Sequence, residues 1–178
     1  MKKILAFSVL AALSAPVQAE VPSRVPVTSP VAKAILKNVE GEAIGTAVFT
    51  QAPTGVLIRI TAEKLPPGKH GLHIHTSGVC DHEGHFDKAG GHLALEDETH
   101  GLLSTKPHVG DLPNLMVEKD GKVEAEFFNS RVSLHESGTL PAILDKDGAS
   151  LMIHAKADDY ATQPTGDSGD RIACGVIK

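Results

Sequence analysis

The stretch 71–75, Gly-Leu-His-Ile-His, is the most informative part of this sequence. Successive side chains of a β-strand point to opposite faces, so His73 and His75 share one face while Leu72 and Ile74 share the other. Imidazole nitrogen is a preferred ligand of copper and zinc. The stretch therefore predicts a strand with two metal ligands on one face and two core residues on the other.

Further candidate ligands follow in short motifs along the chain. Eight of the ten histidines lie between residues 70 and 108. A carboxylate joined to imidazoles is typical of zinc sites. The candidates are enough for two metal ions if one ligand is shared, so a two-metal site is the first hypothesis. They are His73, His75, His92, His100, His108, Asp111 and His154.

The rest of the pattern favours short β-strands. Residues 32–36, 45–50 and 56–61 are β-branched and partly alternating, and no long segment has a helical period. Two stretches, about 76–111 and about 155–170, are rich in Gly, Asp, Thr and Pro. Long loops in a compact domain are usually functional. We expect an all-β sandwich or barrel with two functional loops.

The first residues have the pattern of a secretory signal peptide. Lys2 and Lys3 precede a short apolar run, and small residues end at Ala19. We therefore expect a signal peptide at 1–19 cleaved after Ala19, an extended lead-in at 20–31, and one domain at 32–178. Cleavage would change the formal charge from 17 − 22 = −5 to 15 − 22 = −7. An anionic surface argues against nucleic-acid and acidic-membrane partners.

The chain has two cysteines, Cys80 and Cys174. In an oxidising compartment an isolated pair most simply forms one disulfide. The alternative is two buried free thiols. The sequence has no CxxC spacing, so a thiolate zinc site is not supported.

Together the motifs GLHIH, AGGH, HG, HVGDLPN, LMIH and RIACGVI resemble, in order, the copper,zinc superoxide dismutase family, especially its exported bacterial members. The resemblance covers roughly residues 32–178. It implies an eight-stranded Greek-key β-barrel or sandwich with a metal-binding loop and an electrostatic-type loop. It also implies periplasmic dismutation of superoxide to oxygen and hydrogen peroxide, through alternate reduction and reoxidation of a histidine-bound copper, with zinc structural. One copper and one zinc per subunit are expected, without stable membrane association, as a homodimer or a monomer.

The resemblance also implies a role for individual residues. Asp158 corresponds to an aspartate that links ligands of the two metals, and Arg171 to the arginine that guides and holds superoxide. Cys80 and Cys174 correspond to the intrasubunit disulfide. His92 would bridge both metals and carry a proton. Copper would be held by His73, His75, His92 and His154, and zinc by His92, His100, His108 and Asp111.

The sequence departs from the family pattern around the bridging histidine. The family usually has an aromatic residue and then Asn-Pro or Asp-Pro after it, whereas Leu93-Ala94-Leu95 follows His92 here. His85, in a Gly-His-Phe-Asp context, is a rival. We favour His92 for its Ala-Gly-Gly context and its eight-residue step to His100. His82 and His85 are then either solvated loop residues or an accessory metal-binding patch.

The second loop places acids beside Arg171. Asp167 and Asp170 would weaken attraction of an anion if they point inward. Lys156 corresponds to a rim lysine and Thr165 to a channel-lining threonine, and both are alternatively ordinary loop residues. His70 and His135 have no motif context and are expected at the surface.

A non-catalytic metal-binding or metal-delivery module on the same scaffold is the alternative function. Such a module would be expected to lack a copper ligand or the arginine, and this chain has all of them. The sequence therefore favours the enzyme.

Overall fold

The computed structural model describes residues 31–136, 138 and 140–178. The predicted signal peptide at 1–19, and the lead-in except for residue 31, lie outside the described residues. Within the described part the chain forms nine β-strands and one 3-10 helix, Asp87–Ala89. The strands are β1 Val31–Asn38, β2 Ala43–Ala52, β3 Gly55–Ala62, β4 Gly68–His70, β5 Leu72–His75, β6 Leu115–Val117, β7 Val123–Asn129, β8 Ala149–His154 and β9 Arg171–Ile177.

The strands form two antiparallel sheets, which confirms the all-β prediction. The larger sheet has the order β5-β8-β9-β1-β2-β3-β7, and the smaller pairs β4 with β6. The neighbours β5–β8, β9–β1 and β3–β7 are not consecutive in the chain, as in Greek-key connections. β4 leads directly into β5, and β6 turns into β7 at Asp120-Gly121. The small sheet thus connects the two edge strands of the large one.

The strand count differs from the predicted eight because one strand is divided at Gly71. β4 pairs with β6 on one side of Gly71, and β5 pairs with β8 on the other. A Cβ at Gly71 would lie 2.8 Å from the Cβ of Ser168 and 3.2 Å from Cε1 of His73. Only glycine therefore allows the second loop and the His73 ring to approach the backbone here.

The hydrophobic core lies inside the curved sheet. Alternating residues of β1, such as Ala34 and Leu36, are buried, and their neighbours face solvent. Leu72 and Ile74 belong to the same core and are fully buried, as predicted. Full burial of a leucine or isoleucine contributes roughly 1.5–3 kcal/mol. This burial fixes the register of β5, and so sets the face on which its histidines lie.

Two long connections carry most of the remaining candidate residues, whereas His154, Arg171 and Cys174 lie on β8 and β9. The first loop, residues 76–114, joins β5 to β6, and the second loop, residues 155–170, joins β8 to β9. The predicted disulfide between Cys80 and Cys174 is present, with the Cα atoms 5.6 Å apart, and it ties the first loop to β9. None of the helices among the described residues is long and apolar enough to cross a membrane.

The prediction that His70 lies at the surface is wrong. His70 ends β4 and is 2% exposed. Its Nδ1 lies 2.8 Å from the carbonyl oxygen of His154, and its Nε2 lies 2.7 Å from that of Pro66. Either carbonyl oxygen can accept the single N–H of a neutral ring, so the buried side chain keeps a hydrogen bond inside the protein. His135 is exposed, as predicted.

Candidate metal centre

Four buried histidines converge at the edge of the large sheet, and we call them the four-histidine cluster. β5 supplies His73 and His75, the last residue of β8 supplies His154, and the first loop supplies His92. An isolated antiparallel bridge holds His92 opposite His75. One nitrogen from each ring lies within 4.8 Å of the others. The strand pairing thus assembles residues that are up to 81 positions apart (154 − 73 = 81).

In all four of these rings one nitrogen contacts an oxygen of the protein, and the contact of His92 is to Oδ1 of Asp111. His75 Nδ1 lies 2.9 Å from the carbonyl oxygen of Gly90, and His154 Nδ1 lies 3.2 Å from that of Gly169. His73 Nε2 lies 2.8 Å from Oδ2 of Asp158. Such contacts fix the tautomer, because each of these nitrogens donates its N–H and leaves the other with a lone pair.

The remaining nitrogens are buried without a hydrogen-bond partner among the described residues. They are His73 Nδ1, His75 Nε2, His92 Nε2 and His154 Nε2. An unpaired polar atom in the interior costs on the order of 1–3 kcal/mol. A cation bound between these four nitrogens would pair with all of their lone pairs and so explain why they are buried together. An all-imidazole set fits copper, which imidazole ligands suit.

A second group, which we call the three-histidine–aspartate cluster, surrounds Oδ1 of Asp111. This oxygen lies 3.0 Å from His92 Nδ1, 3.3 Å from His100 Nδ1 and 3.4 Å from His108 Nδ1. His100 Nδ1 also lies 3.3 Å from His92 Nδ1. Zinc–ligand bonds of about 2.0–2.1 Å place tetrahedral ligand atoms about 3.3 Å apart. The Asp111 oxygen and the His92 and His100 nitrogens therefore have the spacing of tetrahedral zinc ligands, and His108 Nδ1, at 3.4 Å from the same oxygen, is the candidate fourth ligand.

His73 also lies within 4.8 Å of His92, His100 and Asp111. We assign it to the four-histidine cluster alone. Its ring stacks on His92 with centroids 3.8 Å apart, and its Nε2 is already bonded to Asp158. Its unpaired Nδ1 therefore remains for the four-histidine cluster.

His92 is the residue that the two clusters share. Its Nδ1 faces Asp111, and its Nε2 is among the unpartnered atoms of the four-histidine cluster. The side chain is buried, with 7% of the residue exposed. His85, the rival for this position, is exposed and has a left-handed backbone with φ of 52°. The structure thus places His92, and not His85, between the clusters.

Asp158 connects the clusters from behind. Its Oδ2 accepts from His73 Nε2 at 2.8 Å, and its Oδ1 accepts from His100 Nε2 at 3.0 Å. The backbone of Asp158 is held in turn by Asn114, which accepts from its N–H and donates to its carbonyl, each at 2.8 Å. One carboxylate therefore orients a ring in each cluster.

Burial keeps four histidines of the site in the neutral, ligating form. Burial lowers the pKa of His73 well below the ordinary 6.5, that of His75 to about 2 and that of His154 to about 4. Burial also lowers the pKa of His108. Burial alone would raise the pKa of Asp111, but hydrogen bonds from His92 and from the Gly101 N–H lower it. A neutral imidazole and an ionised carboxylate are the forms that bind metals.

Arg171 begins β9 directly opposite His154 in the β8–β9 pairing, where the register shifts. Its two terminal nitrogens donate to carbonyl oxygens of the first loop, one to Phe86 at 2.6 Å and the other to Gly90 at 2.7 Å. The Gly90 carbonyl also accepts from His75. The guanidinium is therefore fixed beside the four-histidine cluster, and its remaining N–H donors can bind a small anion.

The other predicted site residues lie at the surface. Lys156 Nζ is 3.9 Å from Oδ2 of Asp167, and both side chains are exposed. Asp170 and Thr165 are exposed as well. Lys156 and Asp167 thus partly neutralise each other at the rim. Among the described residues, His82 and His85 are not part of a metal-binding group.

Several residues that hold the ligands were not predicted. The carbonyls of Gly90 and Gly169 leave no side-chain signal in a sequence. Asn114 has a sequence signal, because it ends the HVGDLPN motif. Gln163, which forms hydrogen bonds with the backbone of His100, has no motif context.

The fold and the site together define a class of protein: a Greek-key β-sandwich with a two-metal centre of six histidines and one aspartate. The family model described as Copper/zinc superoxide dismutase matches residues 43–177. The chain therefore belongs to the copper/zinc superoxide dismutase family.

Individual relatives and solved structures are similar to this chain over most of its length. A superoxide dismutase [Cu-Zn] of Caulobacter vibrioides is 43% identical over 141 residues, covering 78% of this chain and 80% of the relative. A solved structure of a SOD-like protein from Bacillus subtilis is 39% identical with a TM-score of 0.77, covering 82% of this chain and 97% of that one. The Cu/Zn superoxide dismutase from Brucella abortus is 31% identical with a TM-score of 0.67, covering 84% of this chain and 100% of that one.

Proposed function

We propose that this protein catalyses the dismutation of superoxide to oxygen and hydrogen peroxide with one copper and one zinc ion per chain. Membership of the copper/zinc superoxide dismutase family supports the reaction and both metals. The observation that carries the proposal is the shared histidine: His92 directs one nitrogen to each of two clusters with different donor sets.

The donor sets support one assignment of the two metals. The four-histidine cluster is the copper site, with His73 Nδ1, His75 Nε2, His92 Nε2 and His154 Nε2 as ligand atoms. The three-histidine–aspartate cluster is the zinc site, because a carboxylate joined to imidazoles is typical of zinc. When bound, copper supplies the one-electron redox chemistry that dismutation requires, and zinc supplies fixed positive charge.

The protein's own groups perform the other tasks. Arg171 binds superoxide through its free N–H donors, and the two loop carbonyls keep the guanidinium in place. His92 can hold a proton on Nε2 while Nδ1 stays in the zinc site, so it can deliver one of the two protons that peroxide formation consumes. Asp158 keeps His73 and His100 in ligating orientation. Lys156 and Thr165 line the approach to the copper site. The positive charge of Lys156 attracts the anion, whereas the negative charges of Asp167 and Asp170 repel it.

We also propose that residues 1–19 are a signal peptide, that 20–31 are a lead-in to the domain at 32–178, and that the mature protein is periplasmic. The charged start, the apolar run and the small residues ending at Ala19 support cleavage there. The disulfide supports an oxidising compartment. Intact-mass measurement on protein from the periplasmic fraction should find a chain beginning at Glu20, and a chain that retains Met1 would contradict the proposal.

The deciding experiment is metal content and superoxide dismutation of purified residues 20–178 reconstituted with zinc and copper. We expect one copper and one zinc per chain and rapid activity. Replacing Arg171 with alanine should lower activity while leaving the metal content unchanged, because the guanidinium is not a metal ligand in either cluster. Full metal loading without activity in the wild-type protein would instead support the metal-delivery function.

The choice of His92 over His85 has its own test. His92→Ala should lose zinc affinity and activity, because both clusters lose a ligand. His85→Ala should retain both, because His85 is exposed and outside the clusters. The opposite pattern would show that the bridging residue has been misassigned.

A further inference from the structure

The side chain of Gln163 binds the main chain of a zinc-site residue. Its Oε1 accepts from the His100 N–H at 2.9 Å, and its Nε2 donates to the His100 carbonyl oxygen at 2.8 Å. The Nε2 group also lies 3.1 Å from the carbonyl oxygen of Ala161, within the second loop. The amide therefore satisfies both backbone groups of His100, as a neighbouring β-strand would.

His100 has no strand of its own to hold it. It lies in the first loop, outside every strand, and is fully buried. Its ring is oriented by Asp158, which accepts from Nε2 at 3.0 Å. Both Asp158 and Gln163 belong to the second loop. The second loop thus fixes the ring of His100 through one residue and its backbone through another.

The next residue extends this arrangement to a second zinc-site residue. The Gly101 N–H donates to Oδ2 of Asp111 at 2.8 Å. A Cβ at Gly101 would overlap the carbonyl oxygen of Tyr160, so the second loop packs directly on this backbone. A displacement of His100 and Gly101 would therefore move one ligand and remove a hydrogen bond from another.

We propose that Gln163 is a positioning residue for zinc: it contacts no ligand atom, but it holds the backbone of His100 so that Nδ1 stays at tetrahedral distance from Asp111 and His92. The proposal rests on the assignment of zinc to the three-histidine–aspartate cluster. A ligand that is already in place loses less conformational freedom when the metal binds. Loss of the amide should therefore weaken zinc binding about tenfold, at the lower end of effects seen for groups that orient metal ligands.

The effect should be selective for zinc. Gln163 makes no hydrogen bond to a residue of the four-histidine cluster. Copper affinity of the zinc-loaded protein should consequently stay at the wild-type value. A residue that only stabilised the second loop would instead change the stability of the metal-free protein and affect both metals together.

The test uses two variants and a control from the same loop. Gln163→Ala removes both hydrogen bonds. Gln163→Glu keeps the shape and one acceptor, but it places a second oxygen against the His100 carbonyl oxygen, so it should bind zinc no better than Gln163→Ala. Thr162→Ala is the control, because its hydroxyl donates to Asp159 and not to a zinc-site residue.

Zinc affinity is measured by competition with a chelator, and the coordination geometry by the visible absorption of Co2+ bound in place of zinc. We expect both Gln163 variants to bind zinc about tenfold more weakly with an altered Co2+ spectrum, and Thr162→Ala to match the wild type. Wild-type zinc affinity in both Gln163 variants, or an equal loss in Thr162→Ala, would overturn the positioning role and leave the proposed function intact. A wild-type protein that binds no zinc would overturn both.

Discussion

Gly166 lies so close to Asp158 that a single added methyl group should disturb the link between the two metal sites. A Cβ at this position would overlap Oδ1 of Asp158 and lie 2.6 Å from Nε2 of His100. The backbone of Gly166 also has a φ of 67°, which favours glycine. Gly166→Ala is therefore expected to combine a backbone penalty with displacement of the hydrogen bond between Asp158 and His100.

The two contributions can be separated by a control with the same backbone. Gly148 has a φ of 66°, and a Cβ there would lie 3.3 Å from its nearest neighbour, the Cα of Gly78. Gly148→Ala should thus cost the left-handed penalty, about 1–2 kcal/mol, plus a shift of a few tenths of an ångström at Gly78. Gly166→Ala should cost the same left-handed penalty plus a hydrogen bond to a charged group, about 1.5–3 kcal/mol. The expected total is about 2.5–5 kcal/mol of unfolding free energy.

Zinc binding should distinguish the variants more sharply than stability does. Because Asp158 orients His100, Gly166→Ala should weaken zinc binding about 10- to 100-fold, whereas Gly148→Ala should bind zinc normally. Urea unfolding of the metal-free proteins and chelator competition for zinc measure the two effects. If Gly166→Ala is no less stable than Gly148→Ala and binds zinc equally well, Asp158 can move without consequence, and its proposed orienting role is refuted.

Three further predictions concern the disulfide, acidity and anion attraction. Replacing Cys80 and Cys174 by serine should lower the unfolding free energy by about 4–5 kcal/mol in the chain-entropy model, because the bond closes a loop with a sequence separation of 94; an unchanged urea midpoint would contradict this. In the metal-free protein, burial holds the pKa of His154 at about 4, below the ordinary 6.5. Between about pH 6.5 and 4 His154 is therefore protonated in the unfolded chain but neutral in the folded one. The free energy of unfolding should fall as the pH drops through this interval, by up to about 1.4 kcal/mol per pH unit for this histidine. Urea unfolding at stepped pH measures the slope, to which His73 and His75 contribute in the same direction because burial lowers their pKa as well, and constant stability over that interval would contradict the prediction. Lys156→Glu should slow dismutation and flatten the dependence of its rate on salt concentration. Lys33→Glu, on the outer face of β1, is the control, because it changes the net charge equally and should have little effect on the rate. Equal effects of the two variants in stopped-flow assays would show that Lys156 does not steer the anion.

The sequence by itself determined the fold class and the list of candidate ligands. The alternation of Leu72, His73, Ile74 and His75 sets a strand with a core face and a ligand face, because side chains in a strand alternate with a period of two. The order of the remaining motifs supplied the resemblance to the family, and two cysteines in the chain sufficed to predict the disulfide.

Only the tertiary structure decided how these residues are held. His85 and His92 both lie in plausible local contexts, and the isolated bridge to His75 is what places His92 in the clusters. The carbonyl groups of Gly90 and Gly169 fix the tautomers of His75 and His154. Every residue type has the same backbone carbonyl, so the sequence does not indicate which carbonyls take this role. The physical reason is that a sequence pattern records side-chain type and spacing, whereas hydrogen bonds between distant loops depend on where the chain returns in space.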